Sequence, residues 1–124
     1  MPSKRPKPEI FTAPQGAVII TLTNDTTWAR DVFDHMVDPY MQRVAQNIGY
    51  TLDINYARPW DALDELWDAL QDDAFDGGHT TQGHYFFVVT VERDGQEDDV
   101  CVCSSHPLAH TIKDELLTTL REVK

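Results

Sequence analysis

The stretch from residue 17 to residue 49 constrains the chain most. An unbroken apolar run, Ala17-Val18-Ile19-Ile20-Thr21-Leu22, turns at Thr23-Asn24-Asp25-Thr26 and becomes a long helical pattern interrupted once, by Pro39. A run without alternation is what a strand covered on both faces shows. It calls for a sheet with helices on either side. Asp25 or Thr26 can cap the helix that follows. Val32, Met36, Tyr40, Val44 and Ile48 recur every four residues, and Phe33, Val37, Met41 and Ala45 widen that stripe. Gly49 is a natural stop. Pro39 removes a backbone donor and crowds the preceding turn, so it is expected to kink the helix.

The later segments read as elements laid against this strand and helix. Residues 51–57 alternate, with Leu52, Ile54 and Tyr56 against Asp53 and Asn55, which predicts a half-exposed edge strand. Leu63, Leu66, Trp67, Leu70 and Ala74 predict an amphipathic helix from about Trp60 to Phe75, and Gly77-Gly78 breaks it. A second continuous run, His84 to Val91, predicts a central strand. Arg93-Asp94-Gly95 signals a tight hairpin into a strand over residues 99–104, with Val100 and Val102 on one face and Cys101 and Cys103 on the other. Pro107 opens a last helix with the stripe Leu108, Ile112, Leu116 and Leu120, capped by Ser105. Ile10 to Pro14 is expected to pack on the domain edge. The order is β-α-β-α-β-β-α. It predicts an α/β fold: one three-layer domain over residues 10–124 with a four-stranded mixed sheet, its first two strands parallel, behind a basic, Pro-rich, flexible tail over residues 1–9.

Length and charge bound the function. A chain of 124 residues suits one domain and can bury about two-thirds of its unfolded surface. No apolar run approaches the roughly 20 residues that cross a bilayer, and the charged N-terminus has no apolar segment behind it to make a secretory signal. Cys101 and Cys103 are too close to close a useful disulfide, which suggests a reducing compartment, with cytoplasm the default. From Pro8 onward the chain carries 21 acidic and 7 basic side chains, a net of −14. Such a body repels nucleic acid and anionic lipid and attracts a basic partner. Acidity also serves solubility alone, or reflects a salty host.

The element order resembles the minimal thioredoxin fold, the glutaredoxin-type arrangement. Trp28-Ala29 lies just after the first strand, where thioredoxins carry a Trp-Ala, and Pro39 lies where their long first helix carries its kinking proline. The resemblance covers roughly residues 17–123. It implies a redox motif at the start of the long helix, but those positions read Asp31-Val32-Phe33-Asp34. The slot for the family's cis-proline reads Gln82-Gly83-His84. Both departures argue against dithiol chemistry, and a redox-inactive member is implied. The resemblance also implies that three segments meet at one end of the sheet: the turn and helix carrying Asn24, Asp25, Trp28, Asp31, Asp34 and His35, the loop with His79, Gln82, Gly83 and His84, and the turn Ser104-Ser105-His106.

Several constellations compete for a functional role. The carboxylates and imidazoles of that end can bind a metal or do acid-base work, or stand as solvated surface. Cys101, Cys103, His106 and His110 offer a zinc ligand set, although a Cys-x-Cys spacing chelates poorly and the two thiols also read as small apolar strand residues. Ser104-Ser105-His106 does not set a nucleophile against a base, and no glycine-rich phosphate loop is present. The outer face of the second amphipathic helix, with Asp61, Asp64, Glu65, Asp68, Asp72 and Asp73, is a docking surface for a basic protein or simply a solvated face. Trp60 lies off its buried stripe and suits an interface anchor. The expected function is a redox-inactive, thioredoxin-like adaptor, assembly factor or inhibitor, with catalysis left open. It would bind a basic protein through Trp28, Asp31, Asp34, Trp60, Asp61, Asp64, Asp68 and His84, without nucleic acid, membrane or cofactor. Two alternatives stand beside it: an acidic mimic of nucleic acid that inhibits a DNA- or RNA-binding enzyme, and a metal-binding protein or metal-dependent enzyme using His, Asp and Cys, zinc being one candidate ion.

Overall fold

A computed structural model describes residues 7–52, 60–74 and 85–122. Among them the chain forms β1 (Glu9–Ala13), β2 (Gly16–Thr23), α1 (Thr26–Asp34), α2 (Asp38–Asn47), α3 (Trp60–Asp73), β3 (Phe86–Arg93), β4 (Gln96–Cys103) and α4 (His106–Glu122). The fold class is α/β, as expected. The sheet is not the expected mixed one: its four strands run in the order β1-β2-β3-β4 and every described pair is antiparallel.

The difference begins at β1. Glu9, Phe11 and Ala13 are half-buried while Ile10 and Thr12 are exposed, which is the alternation of an edge strand. β1 returns through Pro14-Gln15 into β2, pairing Ala13 with Gly16, and so fills the edge of β2 where a parallel partner was expected. Glu9, assigned by sequence to the flexible tail, is the first residue of this strand. Thr51 and Leu52 belong to no strand, and residues 53–57 of the expected second strand lie outside the described residues. Gly16 is required by close approach. A Cβ there would stand 2.3 Å from the Glu92 carbonyl oxygen of the adjacent β3.

The long helix is two helices. α1 closes at Asp34, the chain passes through an extended Val37 (φ −80°, ψ 154°), and Pro39 sits in the first turn of α2. A proline tolerated there, where its missing N–H is not needed, need not kink a continuous helix. Asp25 caps α1 by accepting from the Trp28 N–H at 3.0 Å. At the far end Gly49 (φ +77°) closes α2. The Gly49 N–H donates to the Gln46 carbonyl at 3.1 Å and the Tyr50 N–H to the Ala45 carbonyl at 2.8 Å, the paired bonds that a left-handed glycine permits. Val37, counted in the apolar stripe by spacing, is 54% exposed because it lies between the two helices.

β3 and β4 join at Asp94-Gly95, both at positive φ (55° and 78°), as a two-residue hairpin with right-handed strand twist demands. β4 carries a bulge. Val89 faces Cys101 but Thr90 faces Asp99, so Val100 has no residue opposite it. A bulge reverses the facing of everything beyond it. Asp99 thereby shares a face with Thr90, while Cys101 and Cys103 share the face of Val89 and Phe87.

Two neighbouring phenylalanines of β3 reach different helices. Phe86 and Phe87 are adjacent and point opposite ways. Phe86 stacks on Trp67 of α3 (5.6 Å, 15° between planes), and Trp67 also meets Phe33 of α1 at 5.2 Å. Phe87 meets His106 of α4 at 5.4 Å, on the face where Phe11 meets His110 of the same helix. The α3 stripe holds as read: Leu66 and Leu70 are fully buried, Trp67 and Ala74 nearly so. Each fully buried leucine contributes about 1.5–3 kcal/mol relative to exposure. In α4 the buried set is Ala109, Ile112, Leu117 and Leu120, with Leu108 and Leu116 half-buried, and the Leu108 N–H donates to Ser105 Oγ at 3.3 Å.

Candidate functional site

The residues singled out by sequence fall into three groups. The first surrounds the start of α1. Trp28 is half-buried, and its indole N–H donates to Asp99 Oδ2 at 2.8 Å, while the Thr90 hydroxyl donates to Asp99 Oδ1 at 3.1 Å. The bulge at Val100 is what turns Asp99 toward them. Trp28 is thus a bracket between α1 and β4. Asp34 accepts from Arg30 Nε at 2.9 Å, and the same guanidinium donates through Nη2 to Asp64 Oδ1 on α3 at 3.0 Å. Arg30 also lies over the rings of Phe33 and Trp67, at 5.6 and 5.5 Å. Burial lowers the Arg30 pKa, and the bonds to Asp64 and Asp34 more than reverse this, so the group is held charged. Asp31 sits beside His35, whose Nδ1 is 2.8 Å from the Asp31 carbonyl. That bond, then the nearby Asp31 carboxylate, raises the His35 pKa.

The second group is the outer face of α3. Asp64, Glu65, Asp68, Asp72 and Asp73 are exposed there. Glu65 accepts from the Tyr50 hydroxyl at 3.1 Å, and Asp73 from the buried Ser104 hydroxyl at 2.9 Å. Trp60 and Asp61 open the helix, but their side chains lie outside the described residues, as do His79 and His84 entirely. The expected meeting of those histidines with Asp31 and Asp34 therefore falls outside the described residues.

The third group differs from its sequence reading. Cys101 and Cys103 are free thiols, fully buried. The contact of Cys103 with Cys101, reinforced by burial, pushes the Cys101 thiol well above the usual range, so it stays protonated and poorly nucleophilic. His106 and His110 turn instead to Glu9. Nε2 of His106 lies 2.8 Å from Glu9 Oε2, and Nε2 of His110 lies 3.0 Å from Oε1. These three side chains offer ligand atoms within 4.8 Å of one another, the one such group of three among the described residues. Of the four residues grouped by sequence, the two histidines lie beside Glu9 and the two thiols are not part of that cluster. Spacing gave no hint of it, because only the pairing of β1 with β2 brings residue 9 beside α4. Partial burial raises the Glu9 pKa, and the hydrogen bonds and charges of His106 and His110 outweigh that and lower it.

Among the described residues the serines named by sequence are engaged elsewhere. Ser104 is committed to Asp73 and Ser105 to the α4 cap. A shallow hollow of about 240 Å³ beside the end of α2 is lined by Gln42, Ala45, Gln46, Tyr50, Thr51 and Leu52, which offer no acid-base pair. No helix among the described residues is long and apolar enough to cross a membrane. Comparison with protein-family models, with curated proteins and with solved structures finds no match.

Proposed function

We propose that this chain is a protein-binding domain without redox chemistry, an adaptor, assembly factor or inhibitor that engages a basic partner through the acidic face of α3. What supports the reading most is how its charge is spent. The body from Pro8 onward carries a net −14. Several of its few cations are already neutralised from within: Arg30 by Asp34 and Asp64, Arg43 by Glu115, Lys113 by Asp114. The segment 60–73 contains six carboxylates and no lysine or arginine. The field left outside is negative, and it steers basic surfaces toward α3 at rates that fall with salt.

The thioredoxin-like reading enters this proposal through its chemistry alone. No cysteine lies in α1, and the two thiols the chain does have, Cys101 and Cys103, are buried. Within the predicted surface the roles divide. Asp34, Asp64 and Trp28 hold the domain together, which leaves Asp31 and Asp68 of that set as contact residues, with Asp61 and Trp60 at the start of the helix; Asp72 adds a further exposed carboxylate on α3.

The test is an Asp68→Asn/Asp72→Asn variant, compared with wild type as bait in the native host's lysate. A discrete basic partner that wild type retains and the variant loses supports the proposal. A partner set unchanged by the variant overturns it.

A further inference from the structure

We propose that Glu9, His106 and His110 form a binding site for a divalent transition-metal ion, zinc in the first instance, bridging the N-terminal edge strand to the last helix. The donors come from two places that the fold holds together. His106 and His110 are one turn apart on α4, with ring centroids 4.3 Å from each other, so both present a nitrogen on one side of the helix. Glu9 comes from the first residue of β1, and its two oxygens already reach both Nε2 atoms.

The separations suit a metal. Zinc bonds of about 2.0–2.2 Å in a tetrahedron place neighbouring donors about 3.3 Å apart. The histidine nitrogens stand 2.8 and 3.0 Å from the Glu9 oxygens. Each nitrogen–oxygen pair would open by about 0.3–0.5 Å to admit an ion, and all the candidate donor atoms lie within 4.8 Å of one another. The rings are also held from outside the site. Phe11 meets His110 edge-on (5.4 Å, 79°), and Phe87 backs His106 at 5.4 Å. Such preorganisation reduces the ordering that binding costs.

The donor set selects the ion class. Two imidazoles and one carboxylate suit zinc, cobalt, nickel or iron(II), whereas calcium and magnesium take oxygen ligands. Three protein ligands leave a position open to water or a substrate donor, the pattern of an exchangeable site. Lys113, which lies 4.4 Å over the Phe11 ring that contacts His110, is paired with Asp114, which offsets its repulsion of an incoming ion. The chain's overall negative charge favours cation approach.

The test is calorimetric titration of the tag-free, chelator-stripped full chain with zinc chloride and, separately, magnesium chloride. The expected result is one zinc per chain and no magnesium uptake. Zinc affinity falls at least about tenfold in Glu9→Gln and in His110→Gln, since loss of a direct ligand costs no less than loss of a supporting one. His35→Gln binds zinc as wild type does. His106→Gln, at an exposed position, is the second variant should His110→Gln fail to fold by circular dichroism. Cobalt(II) loading gives no thiolate charge-transfer band. Absence of stoichiometric zinc binding, undiminished binding in folded Glu9→Gln and His106→Gln, or a thiolate band with cobalt overturns the assignment.

Discussion

Replacing Arg30 by Met removes one guanidinium and keeps most of its apolar stem. That group joins α1 to α3 through Asp34 and Asp64 and lies over Phe33 and Trp67. The Arg30 side chain is 33% exposed, and Asp34 and Asp64 are 41% and 60% exposed, so each ion pair is discounted for solvent to about 0.3–0.5 kcal/mol. The two ring contacts add about 0.5 kcal/mol each at such a site. Because one group serves all four contacts, the terms do not simply add, and the loss is about 1–2 kcal/mol. For a domain between the sizes usually tabulated, that lowers Tm by about 3–10 °C. Urea unfolding of wild type, Arg30→Met, Asp64→Asn and the double variant measures both the loss and the Arg30–Asp64 coupling. A loss below about 0.3 kcal/mol, or no coupling with Asp64, refutes the view that Arg30 ties α1 to α3.

Further outcomes follow from the same geometry. Gly16→Ala forces a Cβ against the Glu92 carbonyl and costs about 1–3 kcal/mol, read by urea unfolding; a neutral effect refutes the close approach of β2 to β3. Glu9 has a lowered folded pKa, so its stabilisation is present above the unfolded value of 4.5 and is lost as pH falls through the lowered one. In metal-free buffer Glu9→Gln therefore flattens the acid limb of the stability curve, and an unchanged limb contradicts the Glu9–histidine contacts. Cys101 and Cys103 react with a thiol reagent only slowly until the chain is denatured; labelling of native protein as fast as free cysteine contradicts their burial. Trp28→Phe keeps an aromatic ring, smaller than the indole, but leaves Asp99 without its indole donor, costing at least about 0.5–1.5 kcal/mol by thermal melting; no change means that bond contributes nothing.

The parts legible in the sequence are those with a strong local signal. The apolar runs of β2 and β3, the Asp94-Gly95 turn and the Leu66, Trp67, Leu70 and Ala74 stripe of α3 each carry their own period or turn chemistry. β1 was legible only as an edge segment, because five residues between Pro8 and Pro14 with one face exposed show little periodicity. The apolar spacing runs through Pro39 and so suggests a kink. Yet Asp38-Pro39 is also a helix-start signal, and the exposure of Val37 shows which reading the fold takes. The bulge at Val100 is a property of pairing and has no residue signature here. The same holds for the Glu9 cluster: 97 positions separate Glu9 from His106, so no motif spacing could join them. The thiols paired on one face were visible from their i, i+2 spacing. Their distance from zinc chemistry was not, since it depends on how α4 turns its histidines.

The most direct test of a protein-binding role is capture with the native chain from its host over a salt series. The account predicts one basic protein held in stoichiometric amount at physiological salt and released progressively as screening rises. Recovery of only a mixed set of nucleic-acid-binding proteins, all lost at moderate salt, would contradict it and favour mimicry of nucleic acid. Recovery of nothing above background at low salt would contradict it outright.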